Sequence, residues 1–155
     1  MLRRLIVFSV LFVLPVFLLA WQGNVVGVTD GDTITVLRDS HQQIKVRLWG
    51  IDCPEKKQDF GTRAKQFTSS LAFGKAVSVT TVDTDRYGRT VGLVFLQDGQ
   101  CLNEALLRSG MAWVYQRYCN HPECSKWLEL EAAARNKKIG LWSMPSIPPW
   151  EFRRK

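Results

Sequence analysis

The sequence predicts an α+β domain, mainly β, in which a small closed barrel of five strands carries three helices and follows a separate hydrophobic segment. Three observations support this prediction. Short runs rich in Val, Ile and Thr fill the first part of the chain, helical spacing of apolar residues appears between and after them, and no strand–helix–strand repeat is present. A chain of 155 residues with 46% apolar composition fits one domain with a real core, and it excludes an intrinsically disordered protein.

The first twenty residues form a segment of their own. A positive Met-Leu-Arg-Arg start is followed by an uncharged run that ends at Ala20 and is short for a membrane-spanning helix of about 20 residues. This pattern predicts a signal peptide over residues 1–20, and hence export to the periplasm or out of the cell. Because Leu18 is not a small residue, an uncleaved N-terminal membrane anchor stays open as the alternative.

The folded domain is predicted over residues 21–145, and its strands come first. They are separated by turn signals, which include Asp30-Gly31, the polar stretch 38–43 and a hairpin connection at 85–89. The predicted strands are Gln22–Thr29, Thr33–Leu37, Ile44–Trp49, Val77–Val82 and Thr90–Leu96.

Helical spacing predicts helices at 63–73, at 103–109 and from about 122 to 138, each followed by a glycine. The last residues, 146–155, contain two prolines and end in Arg-Arg-Lys. They are predicted to form a flexible basic tail.

Charge and cysteine content narrow the function classes. A net charge of +7 suits a polyanionic partner such as nucleic acid, and two histidines leave little room for a His-rich metal site. Cys119 and Cys124 are spaced to close a small disulfide loop in an oxidising compartment. A zinc site with His121 is the alternative, although the usual ligand spacing is absent. Cys53 and Cys101 either pair with each other or remain free.

Carboxylates and arginines are concentrated in three short segments, 29–33, 47–55 and 83–89. Each segment alone is typical of a polar turn. Together they contain two Asp that can hold one hard divalent cation, a Glu that can orient a water, and two Arg that can clamp a phosphate and stabilise its developing charge. This combination predicts hydrolysis of phosphodiester bonds.

Five motifs in this order over residues 25–142 resemble the staphylococcal (micrococcal) nuclease, or thermonuclease, family. They are Asp30-Gly31-Asp32-Thr33, Arg47–Glu55, Asp85–Arg89, Asn103–Leu106 and Gly140–Trp142. The resemblance implies a five-stranded OB-fold barrel with three helices. It also implies a Ca²⁺-dependent endonuclease that acts as a monomer on single- and double-stranded DNA and on RNA, and that leaves 3′-phosphate and 5′-hydroxyl ends.

The resemblance also implies a role for each matching position. Ca²⁺ is expected on Asp32, Asp52 and the backbone carbonyl of Cys53, with Asp30 as a nearby acid. Catalytic roles fall on Glu55 as general base and on Arg47 and Arg89 as the phosphate clamp. Contacts to the nucleotide are expected from Arg86, Tyr87 and Tyr115.

The chain departs from that family in having Cys53 in place of Thr, a shorter loop after Glu55, and the loop bracketed by Cys119 and Cys124. A second hypothesis is a non-catalytic module of the same fold that binds nucleic acid or protein. Such modules lose the acidic and arginine positions, whereas this chain has all five of them, namely Asp32, Arg47, Asp52, Glu55 and Arg89. A catalytic enzyme is therefore the expected function.

Overall fold

The computed structural model describes residues 20–39 and 41–154. The predicted signal peptide therefore lies outside the described residues, apart from Ala20, which begins the first strand. Within these ranges, no helix is both long enough and apolar enough to cross a membrane.

A closed five-stranded barrel forms the centre of the molecule and confirms the predicted fold. The strands of the described chain are β1 (Ala20–Asp30), β2 (Thr33–Arg38), β3 (Gln42–Leu48), β4 (Ile51–Asp52), β5 (Ala76–Thr84), β6 (Thr90–Leu96) and β7 (Trp113–Val114). In the barrel, neighbours follow the order β1-β2-β3-β6-β5, and closure satisfies the backbone groups that an open sheet would leave at its edges. The pairs are antiparallel except β3 and β6, which run parallel.

The strands β4 and β7 pair with each other outside the barrel, and the sequence did not predict them. Each is two residues long, which is too short to show an alternating pattern. Their pairing places Asp52 opposite Trp113 and so holds the chain in position just after β3.

The helices are α1 (Gly61–Ala72), α2 (Leu102–Arg108), α3 (Glu123–Asn136) and α4 (Pro149–Phe152), and a 3₁₀ helix spans Gly140–Ser143. The first three correspond to the predicted helices, with bounds that differ by one or two residues. Helix α1 packs on β1 and α2, and α2 packs on β6 and α3. The buried amide of Asn103 in α2 accepts from Val94 and donates to the carbonyl of Trp49, which ties the helix to the segment after β3.

The turn between β1 and β2 packs closely against α1. A Cβ on Gly31 would lie 2.8 Å from the Cβ of Ala64 and from the Sγ of Cys53, so a larger residue would push the turn away from both. The hydroxyl of Thr68 donates to the carbonyl of Gly31 at 2.5 Å. These contacts fix the position of the two acidic residues that flank the glycine.

The predicted disulfide between Cys119 and Cys124 is present, with an S–S distance of 2.04 Å. It closes the loop that leads into α3, next to the buried ring of Trp127. Cys53 and Cys101 are both free thiols, which resolves the alternative left open by the sequence.

The C-terminal segment differs from the flexible tail expected over 146–155. Residues 149–152 form α4, and Pro149 occupies its first turn, where the missing N–H of proline costs nothing. The hydroxyl of Ser146 donates to the carbonyl of Leu141 at 2.7 Å, which anchors the start of the segment. Pro148 and Pro149 restrict the backbone at the start of α4, so less conformational entropy is lost when this segment packs on the domain.

Candidate active site

Arg47 lies between the two carboxylates that are predicted to hold a cation. Its Nη1 is 3.0 Å from Asp32 Oδ2, and its Nη2 is 2.8 Å from Asp52 Oδ1. The exposed fractions of the three side chains are 16%, 7% and 2%. The structure therefore brings these predicted site residues together in a nearly buried cluster.

The strand register explains this convergence. Thr33 in β2 lies opposite Arg47 in β3, so Asp32 is placed beside the arginine at the end of the strand pair. The chain then turns at Gly50, whose φ of 69° is in the left-handed region that favours glycine. It returns as β4, which brings Asp52 back to the same arginine.

The guanidinium of Arg47 also closes this turn. Its Nη1 donates to the carbonyls of Leu48 at 3.1 Å and Ile51 at 3.0 Å. Burial lowers the pKa of Arg47, but the carboxylates of Asp32 and Asp52 raise it more, so the net shift is upward. Arg47 is thus a permanently charged group whose orientation is fixed by several acceptors at once.

Negative charge is concentrated around Asp32. Its Oδ2 accepts a 2.7 Å hydrogen bond from the amide of Cys53, and its own amide donates to Asp30 Oδ1 at 3.3 Å. Burial, followed by the charge of Asp32, raises the pKa of Asp30 to about 7. Burial also raises the pKa of Asp52, against the opposing effect of Arg153 and Arg47. A crowded group of acids of this kind is stabilised by a bound cation.

Glu55 lies next to this cluster and is partly exposed, with 38% of its side chain accessible. Its backbone amide donates to Gln58 Oε1 at 2.8 Å, which holds the turn that follows β4. Its Oε1 accepts a hydrogen bond from Arg153 Nη1, while Nη2 of the same guanidinium is 2.7 Å from Asp52 Oδ2. One guanidinium therefore spans the distance between the carboxylates of Glu55 and Asp52.

The other predicted substrate groups lie on the connection between β5 and β6. Arg89 Nε is 2.7 Å from Asp85 Oδ2, and the guanidiniums of Arg86 and Arg89 lie 4.9 and 5.6 Å from the ring centre of Tyr87. Among the described residues, no hydrogen bond or ion pair joins Arg89 to the carboxylates of Asp32, Asp52 or Glu55. Because Arg47 is opposite Val91 on the neighbouring strand β6, Arg89 is nevertheless two residues away from that contact point.

Tyr115, the remaining predicted nucleotide contact, lies just after β7. Its ring stacks on Trp150 of α4 with centres 5.0 Å apart and planes 5° from parallel. A groove of about 390 Å³ opens beside this pair. It is lined by Trp113, Val114, Tyr115, Gln116, Arg117, Glu131, Arg135, Pro148, Trp150 and Arg154.

The donor atoms of the cluster fit a hard divalent cation. Asp32 and Asp52 provide carboxylate oxygens, and burial and then Asp32 raise the pKa of the Cys53 thiol well above its usual value, so this sulfur stays protonated and does not compete as a thiolate ligand. In residues 20–39 and 41–154, no three His, Cys, Asp or Glu side chains are grouped as a metal site by themselves. A Ca²⁺ ion takes six to eight oxygens, so a backbone carbonyl and waters would complete a shell that the two carboxylates begin.

Sequence reasoning missed Arg153 and Trp150. Both lie in the segment predicted as a flexible tail, about a hundred residues from the carboxylates that Arg153 contacts. A signal was nevertheless present in the sequence. A proline pair, which is typical of a helix start, is followed by a bulky aromatic residue and then by basic residues. Such a segment can form one apolar and one charged contact with the domain.

Comparisons with known proteins identify the family of this chain. The family described as staphylococcal nuclease homologue matches residues 45–144. The chain is 45% identical over 154 residues to a micrococcal nuclease of Shigella flexneri, covering 92% of this chain and 87% of the relative. It is 43% identical to an uncharacterized endonuclease of Escherichia coli O157:H7, covering 94% and 93%, and 43% identical to protein ParB of Escherichia coli, covering 94% and 88%. The closed barrel, the clustered carboxylates and these matches show that the chain belongs to the staphylococcal nuclease family.

Proposed function

We propose that this protein is an exported, Ca²⁺-dependent endonuclease that hydrolyses phosphodiester bonds in DNA and RNA and leaves 3′-phosphate and 5′-hydroxyl ends. The observation that carries this proposal is the cluster in which Arg47 contacts both Asp32 and Asp52. The guanidinium of Arg153 links Glu55 to this cluster. Relatives described as a micrococcal nuclease and an endonuclease support the same reaction.

Asp32 and Asp52 would hold Ca²⁺, with the backbone carbonyl of Cys53 as a further oxygen donor. The bound ion would supply positive charge next to the scissile phosphate and orient a water for attack. The nearly complete burial of both carboxylates keeps them in one orientation, which a cation with several ligands requires.

Glu55 is the group that removes the proton from the attacking water. It is more exposed than the two aspartates, so its carboxylate is accessible to water at the rim of the cluster. Attack on phosphorus breaks the bond to the 5′-oxygen, which takes a proton from solvent and leaves as the 5′-hydroxyl. The phosphate remains on the 3′ side.

Arg47 and Arg89 stabilise the charge that develops on the phosphate oxygens. A guanidinium donates two parallel hydrogen bonds to a phosphate and keeps its charge throughout the reaction. Arg47 lies opposite Val91 in β6, two residues after Arg89, which supports binding of the nucleic-acid chain across this part of the β3–β6 pair.

Export is proposed from two features of the chain. The first twenty residues have the composition of a signal peptide, and the Cys119–Cys124 disulfide is typical of proteins that fold in oxidising compartments.

The test is a nuclease assay of the full chain on plasmid DNA, single-stranded DNA and RNA, with Ca²⁺, with Mg²⁺ and with a chelator. We expect cleavage that needs Ca²⁺ and gives ends that a kinase can label without prior phosphatase treatment. Glu55→Gln should lower kcat by at least ~10²-fold while Ca²⁺ and nucleotide binding persist, because the amide keeps the shape but accepts a proton poorly. Glu129→Gln is the matched control, since Glu129 is exposed on α3 away from the cluster.

Two results would contradict the proposal. Tight binding of nucleic acid with no cleavage under any of these conditions would identify a non-catalytic module. A loss of nucleotide affinity in Glu55→Gln with unchanged kcat would make Glu55 a binding group instead of a base.

A further inference from the structure

The C-terminal segment reaches across the candidate active site and contacts it at three points. The side chain of Gln58, in the turn after Glu55, donates to the carbonyl of Ile147 at 3.1 Å. Trp150 covers one face of Tyr115, and the guanidinium of Arg153 lies on the carboxylates of Asp52 and Glu55. The segment is thus held at three separate points by a hydrogen bond to its backbone, a ring contact and an ion pair, which together define one docked position.

Arg153 uses the same oxygen atoms that the proposed reaction needs. Its Nη2 is 2.7 Å from Asp52 Oδ2, and its Nη1 is 3.5 Å from Asp52 Oδ1 and hydrogen-bonded to Glu55 Oε1. A Ca²⁺ ligand oxygen lies about 2.3–2.6 Å from the ion. A cation on Asp52 would therefore face a positive guanidinium at close range, and Arg153 also occupies one of the two Glu55 oxygens that could hold a water.

The ring contact has a similar consequence. Trp150 and Tyr115 are nearly parallel at 5.0 Å, a stacked arrangement that leaves no room for a third ring between them. A nucleotide base that stacks on this face of Tyr115 has to displace Trp150.

We propose that residues 146–154 form an internal competitor, in which Arg153 and Trp150 occupy the cation and base positions and must leave before Ca²⁺ and nucleic acid bind. This inference rests on the calcium site proposed above. The segment is suited to leaving, because Arg153 is 42% exposed and its partner Glu55 is 38% exposed, in contrast to the buried Arg47. Only molecules in which the segment is undocked bind Ca²⁺ with full affinity. By linkage, the apparent affinity for Ca²⁺ is therefore the intrinsic affinity multiplied by the undocked fraction.

The first measurement is Ca²⁺ affinity of the full chain by calorimetry. We expect Arg153→Ala to bind Ca²⁺ about tenfold more tightly than the wild type, the effect of removing a competitor that is docked in about nine of ten molecules. Arg154→Ala is the matched control, since it removes the same charge from the next residue, for which the structure shows no ion pair to the cluster. Trp150→Ala should also tighten Ca²⁺ binding by a few-fold, although it removes no charge, because it weakens docking alone.

The second measurement is hydrogen exchange of the backbone amides in residues 146–154. The amides of α4 and the residues just after it donate to Pro148, Pro149 and Glu151, so the docked segment is protected. Saturating Ca²⁺ should accelerate exchange in this segment of the wild type and leave the barrel strands unchanged. In Arg153→Ala, exchange should already be fast and should not respond to Ca²⁺.

The outcomes separate this inference from the proposed function. If Ca²⁺ binds and activates cleavage but exchange in 146–154 is unchanged or slower, the segment stays docked and the competitor is disproved while the nuclease stands. If Arg153→Ala lowers kcat and leaves Ca²⁺ affinity unchanged, Arg153 acts on the substrate and the inference is wrong. If neither protein binds Ca²⁺, the calcium site fails and this inference fails with it.

Discussion

The two arginines predicted to clamp the phosphate, Arg47 and Arg89, lie in very different surroundings. Arg47 has 16% of its side chain exposed and contacts two carboxylates and two backbone carbonyls. Arg89 is 29% exposed and has one carboxylate partner, Asp85, in the same hairpin connection. The barrel therefore fixes Arg47, whereas Arg89 is positioned by local contacts only.

The different surroundings of the two arginines predict different effects of their removal on stability and on catalysis. A buried charge with several partners is strongly coupled to stability, because its removal leaves the partners unpaired. A partly exposed ion pair contributes little to stability, so its residue is free to adjust to a substrate. We expect both arginines to matter for catalysis and only Arg47 to matter for the fold.

The largest effect is expected for Arg47→Ala. Turnover should fall by at least ~10²-fold through loss of a donor to the developing charge, and the free energy of unfolding should fall by about 3 kcal/mol because Asp32 is left buried without its counter-ion and Asp52 keeps only Arg153. Enzyme kinetics and denaturant unfolding in the absence of Ca²⁺ measure the two effects. Arg38→Ala is the control, because Arg38 pairs with an exposed aspartate and should cost about 1 kcal/mol or less.

Arg47→Lys sharpens this prediction. The variant keeps the positive charge but loses the two parallel donors, so turnover should stay severely reduced. Turnover close to that of the wild type would show that charge alone is sufficient at this position.

A smaller total effect is expected for Arg89→Ala. Turnover should again fall by at least ~10²-fold, but the free energy of unfolding should change by less than about 1 kcal/mol, because one partly exposed ion pair is lost. The same two measurements apply. Unfolding of Arg89→Ala at the denaturant concentration found for Arg47→Ala would break the comparison, since it would show that the hairpin contact is structural.

The smallest effect is expected for Glu104→Gln, which tests a charge cluster remote from chemistry. Glu104 in α2 accepts from Lys126 at 2.8 Å and from Trp127 at 3.3 Å, and it pairs with Arg108 at 3.0 Å. Burial raises the pKa of Glu104, but the hydrogen bonds from Lys126 and Trp127 and the nearby charges lower it more, so the net shift is downward.

Because the pKa of Glu104 is lowered in the folded state, the stability that this carboxylate contributes must decrease as the pH falls. The contribution of Glu104 is fully present above the pKa of the unfolded chain, about 4.3, and is lost as the pH falls through the lower pKa of the folded state. Glu104→Gln should cost about 1 kcal/mol at pH 7, and the difference from the wild type should shrink below about pH 4, with no change in turnover. Denaturant titrations at both pH values measure this difference, and a constant difference would mean that charge is not the cause.

The members of the candidate site could be predicted from the sequence because each lies in a short motif with distinctive chemistry. Asp32 follows a turn glycine at a strand start, and Asp52 and Glu55 flank Cys53-Pro54 directly after a strand that contains Arg47. Strand and turn signals are local, so the five barrel strands, the first three helices and the short disulfide loop were also predictable. The assignment of catalytic roles to these residues remains a prediction.

What the sequence by itself determined is thus the set of elements and the residue types that chemistry requires, since both depend on neighbours within a few positions. The tertiary structure alone decided the pairing of β4 with β7, the sharing of Arg47 by two aspartates, and the docking of Arg153 on Asp52 and Glu55. These contacts join residues far apart in the chain, and their free energy depends on burial and on the distance between charges. Neither quantity exists until the barrel has closed.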